Sequence, residues 1–120
     1  MALHNDTGKK GEALAADWLL KKGFVIHHSN WRHSHYEIDV VASRTQVLHF
    51  IEVKTRTGRR FGLPEESVND KKLESLMRAS SAYLAKYRGF KRVQYDILSI
   101  ILRPPNDPEF YLVEDVYCRF

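Results

Sequence analysis

The chain has 120 residues, 43% hydrophobic and 28% charged, the proportions of a folded globular protein and not of a disordered one. That length suits one domain, residues 1–120, around one real core. Cys118 is the single cysteine, so no intramolecular disulfide can form. The start lacks a signal-peptide pattern and no apolar run approaches the roughly 20 residues of a membrane span, so the cytoplasm is the expected compartment. Lys and Arg outnumber Asp and Glu by 19 to 15, which suits a polyanionic partner and suits ordinary solvated charge equally well.

In chain order, Gly8 to Lys22 reads as a helix rich in Ala, Leu, Glu and Lys. Asp6 and Thr7 stand near its start and Gly23 at its C-terminal cap. Phe24 to Trp31 has strand-like content, and His33-Ser34-His35 reads as a connection. From Tyr36 to Ala42, the residues Ile38, Val40 and Ala42 alternate with Glu37, Asp39 and Val41, a strand pattern. Ser43 to Gln46 is a polar turn leading into a second strand, Val47 to Thr55, so the two predict a hairpin. Arg56 to Glu66 is a basic, glycine-containing loop. A helix follows from Asn69 or Asp70 to Tyr87, with Leu73, Leu76, Met77, Ala79, Ala82, Tyr83 and Leu84 at helical spacing and Gly89 closing it. Val93 to Leu102 is a buried strand, Pro104 to Pro108 a turn, and Phe110 to Tyr117 a last strand. The order α-β-β-β-α-β-β predicts an α/β fold with a mixed sheet flanked by helices.

The chemistry concentrates in Glu37-Ile38-Asp39, twelve residues, then Glu52-Val53-Lys54. Residues two apart on a strand share a face, so Glu37 joins Asp39 and Glu52 joins Lys54. A hairpin turning at Thr45-Gln46 sets Asp39 opposite Glu52, and any odd register sum keeps them on one face. Facing carboxylates inside apolar strands need a compensating cation. Oxygen-only ligands favour Mg²⁺ or Mn²⁺ over Zn²⁺. Such an ion beside a lysine suits phosphodiester hydrolysis, with the metal polarising the phosphoryl group and lowering the pKa of a bound water, and Lys54 positioning that water or stabilising charge at phosphorus. A salt bridge from Lys54 to Glu37 or Glu52 satisfies the same spacing without a metal. Glu12 falls with Ala15, Ala16 and Leu19 on the helix stripe expected to face the sheet. There it is a third metal ligand or a glutamate favoured by the helix dipole.

Arg56, Arg59 and Arg60 in the loop, with Lys71 and Lys72 at the start of the second helix, are candidates to contact phosphates flanking a scissile one, with a solvated loop as the plain alternative. Among the histidines, His33-Ser34-His35 suggests zinc chelation, but no Cys or His pair stands at finger spacing. Trp18 and Trp31 read as core or rim residues. No P-loop, dinucleotide glycine pattern or nucleophile elbow occurs.

These residues resemble the YraN family of small bacterial proteins, described as uncharacterised but endonuclease-like, along almost the whole chain. The resemblance rests on Gly11-Glu12 with Ala15-Ala16 and Leu19, on Asn30-Trp31-Arg32, Glu37-Ile38-Asp39 and Phe50 to Arg56, and on Phe61-Gly62 with Pro64, Val68 with Lys72, and Tyr95-Asp96. The family looks like a branch of the PD-(D/E)XK nucleases, similar to archaeal-type Holliday junction resolvases. The resemblance implies a restriction-endonuclease-like core, with Asp39 as the lone aspartate, Glu52 and Lys54 as the (D/E)XK element and Glu12 as the first-helix glutamate. It further implies a metal-dependent endonuclease acting on DNA, such as branched or damaged DNA, and a homodimer. A nucleic-acid- or partner-binding module with that fold and little turnover is the alternative. Where family members carry glycine before Glu-Ile-Asp, this chain has Tyr36, which alters the local approach of backbone to DNA.

Overall fold

The computed structural model describes residues 2–57 and 70–117, with side chains over 8–57 and 73–117. Its first helix, α1 (Ala2–Lys21), starts earlier than the sequence predicts. Asp6 and Thr7 therefore lie inside the helix and do not cap it, and Gly8 interrupts nothing because the space around it is open. The end matches the expected cap. Gly23 takes a positive φ of 91°, Phe24 N–H donates to Leu19 O at 3.0 Å and Gly23 N–H to Leu20 O at 3.1 Å, the double bond of a Schellman motif.

The strands are β1 (Val25–His33), β2 (Tyr36–Arg44), β3 (Val47–Thr57), β4 (Arg92–Leu102) and β5 (Glu109–Val113), with helix α2 (Asp70–Lys86) between β3 and β4. The order is α-β-β-β-α-β-β, as the sequence predicts, and the sheet runs β1-β2-β3-β4-β5. It is mixed: β3 and β4 are parallel and the other neighbours antiparallel. This α/β arrangement is consistent with a restriction-endonuclease-like core. The parallel pair requires a crossover, which α2 supplies, so α2 runs back from the carboxyl end of β3 to the amino end of β4.

Each helix covers one face. On the α1 side Ala15 and Leu19 pack with Phe24, Val40, Ala42, Ile51, Leu98 and Ile100. On the α2 side Leu76, Ala79 and Tyr83 pack with Ile38, Val41, Leu48 and Phe50. Trp18 stacks on Phe110 in the first layer and Trp31 packs edge-on to Tyr83 in the second. Two expectations change. Met77 is 53% exposed, because the buried stripe of α2 passes through Ser80, whose hydroxyl donates to Leu76 O at 2.8 Å. The last strand stops at Val113 and does not reach Tyr117, because Asp115 adopts φ 58°. The chain then crosses over β4, where Val116 N–H donates to Tyr95 O at 2.8 Å.

The hairpin between β2 and β3 turns through Thr45 and Gln46, both at positive φ (51° and 67°), the backbone of a two-residue type I′ turn. The strands run right up to those two residues, so the polar turn is shorter than Ser43 to Gln46. Arg44 pairs with Val47 and Val40 with Ile51. That constant, odd register decides which side chains meet further along.

Candidate functional site

The ladder between β2 and β3 ends at the Val40–Ile51 pair, and both strands continue past it. Asp39 and Glu52 are the next residues beyond that last pair. Side chains of β3 alternate, so Phe50, Glu52, Lys54 and Arg56 share one face. Phe50 belongs to the α2-side core, which places Glu52 on that face. Strand β2 does not keep the expected alternation, because Ile38 packs with Val41 on the α2 side while Val40 and Ala42 pack on the α1 side. Asp39 lines the same cleft as Glu52. Val53 N–H, at a point where the ladder has ended, donates instead to Asp39 Oδ2 at 2.8 Å. The carboxylate thus takes the place of the missing strand partner and is fixed in orientation by it.

Burial dominates the electrostatics of Asp39. Loss of water raises its carboxyl from the usual 3.8 to about 6, against the lowering effect of the Val53 hydrogen bond, and the negative charges of Glu52, Glu37 and Glu12 raise it further. Lys54 Nζ lies 2.8 Å from Glu52 Oε2, so the salt bridge open at the level of spacing is present, within one strand. Glu37 is 3.9 Å from the exposed Arg32. Arg56 continues the line beyond Lys54, half-buried on β3. Arg59 and Arg60 lie outside the described residues. Lys71 and Lys72 belong to the first turn of α2, and their side chains lie outside the described set.

Glu12 does not sit on the buried stripe of α1. That stripe is Gly11, Ala15 and Leu19, and Glu12 is exposed beside it while Ala16 is half-buried. The cause is Gly11, where a Cβ would run into the Thr55 side chain of β3. This contact lets the helix approach β3 closely and directs the next residue toward the rim, where its charge still reaches Asp39.

Tyr36, Glu37, Asp39, Glu52, Tyr95 and Tyr117 line one cleft, with Leu76 and Val116 completing its apolar wall. Two walls have no signal in the sequence pattern. The Tyr36 hydroxyl is raised well above its ordinary pKa by burial first, then by Glu52, Tyr117 and Asp39, so this tyrosine overlooks both carboxylates. Tyr117 reaches the cleft only because the chain turns at Asp115. Asp39 and Glu52 offer oxygen donors of the kind a hard divalent cation takes, but among the described residues these carboxylates do not bring three ligand atoms within 4.8 Å of one another.

Among the described residues the histidines of β1 and its turn join no group of three metal-ligating side chains. His27 Nε2 is 2.7 Å from Ser43 Oγ, His28 Nδ1 is 2.9 Å from Tyr83 OH, and His33 stacks on Trp31. Sequence reasoning passed over a different group. Among the described residues, His49, Asp96 and Glu114 bring ligand atoms within 4.8 Å of one another. His49 and Asp96 are 3% and 2% exposed. The His49 Nδ1 to Asp96 Oδ2 distance of 2.6 Å is a hydrogen bond, shorter than the roughly 3.3 Å between two ligands of one tetrahedral zinc. Asp96 Oδ1 accepts from Asp115 N–H and from Gln94 Nε2, both at 3.0 Å. Gln94 also donates to Glu114, which lies 3.7 Å from Arg44. The group is a closed polar network tying β3, β4 and the turn after β5, and so it holds the cleft wall formed by Val116 and Tyr117.

Among the described residues no helix is long and apolar enough to cross a membrane. Residues 11–100 match a family described as "Uncharacterised protein family UPF0102". A UPF0102 protein of Phocaeicola vulgatus is 44% identical over 101 residues, 84% of each chain. One from Bacteroides thetaiotaomicron is 41% identical with the same coverage. One from Dictyoglomus turgidum is 36% identical over 105 residues, 87% of this chain and 89% of that one.

Proposed function

We propose, from the premise that the chain belongs to the uncharacterised protein family UPF0102, that it is a metal-dependent nuclease of the PD-(D/E)XK type acting on DNA. The observation that carries this reading is Asp39. A half-buried carboxylate, oriented by Val53 N–H and surrounded by the charges of Glu52, Glu37 and Glu12, is costly unless a cation joins it. Glu12, Asp39 and Glu52 are the residues that would hold Mg²⁺ or Mn²⁺, and a bound ion would supply Lewis acidity and a water of lowered pKa. Lys54, held by Glu52, stands where it can orient a nucleophile or meet charge developing on phosphate. Arg56 is the described member of the phosphate track, with Arg59, Arg60, Lys71 and Lys72 completing it in the sequence. A homodimer on branched or damaged DNA is the setting that the family resemblance implies.

One observation favours a second reading. The Lys54–Glu52 pair at 2.8 Å is closed, as it would be in a nucleic-acid-binding module that no longer turns over. Incubation with duplex, single-stranded and four-way-junction DNA in Mg²⁺, Mn²⁺ or EDTA separates the two. Metal-dependent cleavage lost in Asp39→Ala and Lys54→Ala is expected. Cleavage that survives EDTA or Asp39→Ala refutes the site, and binding without cleavage under every metal condition assigns the module.

A further inference from the structure

The turn joining α2 to β4 reads Lys86-Tyr87-Arg88-Gly89-Phe90-Lys91-Arg92. It carries four cations, all exposed. Between Glu74 and Asp96 the chain has neither Asp nor Glu. Asp96 is buried against His49, and Glu74 is engaged by Arg78. Among the described residues none of the four cations has an ion-pair partner; the one charge contact is Lys86 Nζ, 5.7 Å from the Tyr87 ring centre. Setting the four aside leaves 15 Lys and Arg against 15 Asp and Glu, so this turn alone equals the chain's net charge of +4. A cation in the last turn of a helix answers the helix dipole, which accounts for Lys86 and not for the other three.

We infer that this turn is a second phosphate-binding surface, which engages nucleic-acid backbone at the opposite end of the sheet from the acidic cleft. Arg92 pairs with Val47 at the amino end of β3. Glu52 lies five residues further along that strand, about 17 Å away at strand rise. That separation corresponds to about five steps of duplex at 3.4 Å each, so the turn contacts flanking phosphates and not the scissile one. Gly89, at φ 115° with open space around it, leaves room for a backbone to approach. The interleaved rings are half-buried, Phe90 edge-on to His27 and Tyr87 tilted on His28 and Tyr83. Within the turn the charge is therefore offered without an exposed large apolar side chain of the kind membrane insertion uses, the adjoining one being Val93 at 37% exposure. As a nucleic-acid contact it rests on the nuclease reading for its partner class, but it requires neither metal nor turnover.

The test measures binding of a fluorescently labelled 20-base-pair duplex in EDTA across a salt series. The variant replaces Lys86, Arg88, Lys91 and Arg92 with Ala, and circular dichroism checks that it folds. The slope of log K against log salt is expected to fall in magnitude by about 3.6, at 0.9 per lost phosphate contact. A Lys86→Arg/Lys91→Arg variant, which keeps the charge, should retain the wild-type slope. An unchanged slope in the alanine variant overturns the proposal. So does a wild-type protein that binds vesicles of phosphatidylserine and phosphatidylcholine but not the duplex. Absent cleavage with intact, turn-dependent binding refutes the nuclease and leaves this surface standing; intact cleavage with an unchanged slope does the reverse.

Discussion

Asp39→Asn should make the metal-free protein more stable at neutral pH. The carboxyl titrates at about 6 in the fold against 3.8 in its ordinary state, so the folded chain holds this proton more tightly than the unfolded one does. The stability that the neutral acid contributes is complete below about 3.8 and is lost as pH rises through about 6. A difference of about two pKa units corresponds to about 3 kcal/mol at pH 8, at 1.36 kcal/mol per unit. An asparagine carries no charge to bury, and its Oδ1 still accepts from Val53 N–H. Urea denaturation of both proteins in EDTA at pH 8 should find the variant ahead by about 1–3 kcal/mol. The gap should shrink to about half at pH 5 and close toward pH 3.5. A variant less stable than wild type at pH 8, or a gap indifferent to pH, would refute the claim that this carboxylate is held at a cost.

The remaining predictions address the metal and the scaffold. Mn²⁺ at 100 times its dissociation constant should stabilise wild type by about 2.7 kcal/mol and leave Asp39→Asn nearly unmoved; equal shifts in thermal scans would place the ion elsewhere. Gly11→Ala should cost about 1–3 kcal/mol, because the added methyl meets Thr55, and a melting temperature equal to wild type would contradict that contact. Asp96→Ala should cost about 3 kcal/mol or more by stranding His49, Gln94 and Asp115 N–H. In the same variant, amide exchange should accelerate at Asp115 and Val116, and unchanged protection there would show that the network does not hold the segment that crosses β4 after β5.

The parts of this architecture legible in the sequence are those set by local periodicity. A short hairpin turning at Thr45-Gln46 predicts a register that the Val40–Ile51 and Arg44–Val47 pairs display, whereas the alternation expected along β2 breaks at Ile38, which packs with Val41 on the α2 side. Gly23 signals its cap because a left-handed residue is needed there. The misses share a different cause. His49 and Asp96 meet across a parallel pair separated by 47 residues, and no spacing rule links them. Glu12 belongs by helical angle to the apolar stripe, yet the close approach at Gly11 turns the helix so that Gly11 faces β3 and Glu12 the rim. Tyr117 lines the cleft through a backbone reversal at Asp115 that leaves no mark on hydrophobic alternation. The four cations of the α2–β4 turn carry no periodic signal, and only the fold shows them exposed together.

The two tryptophans, one per layer, give the protein a built-in pair of optical reporters. Trp18 stacks on Phe110 at 5.5 Å in the α1 layer, and Trp31 stands edge-on to Tyr83 at 5.1 Å in the α2 layer. A single-tryptophan protein retaining either one would emit a signal sensitive to the docking of the helix in that layer, α1 for Trp18 and α2 for Trp31. Recorded side by side, the two emission traces would tell whether the helices leave the sheet in one cooperative step or in sequence.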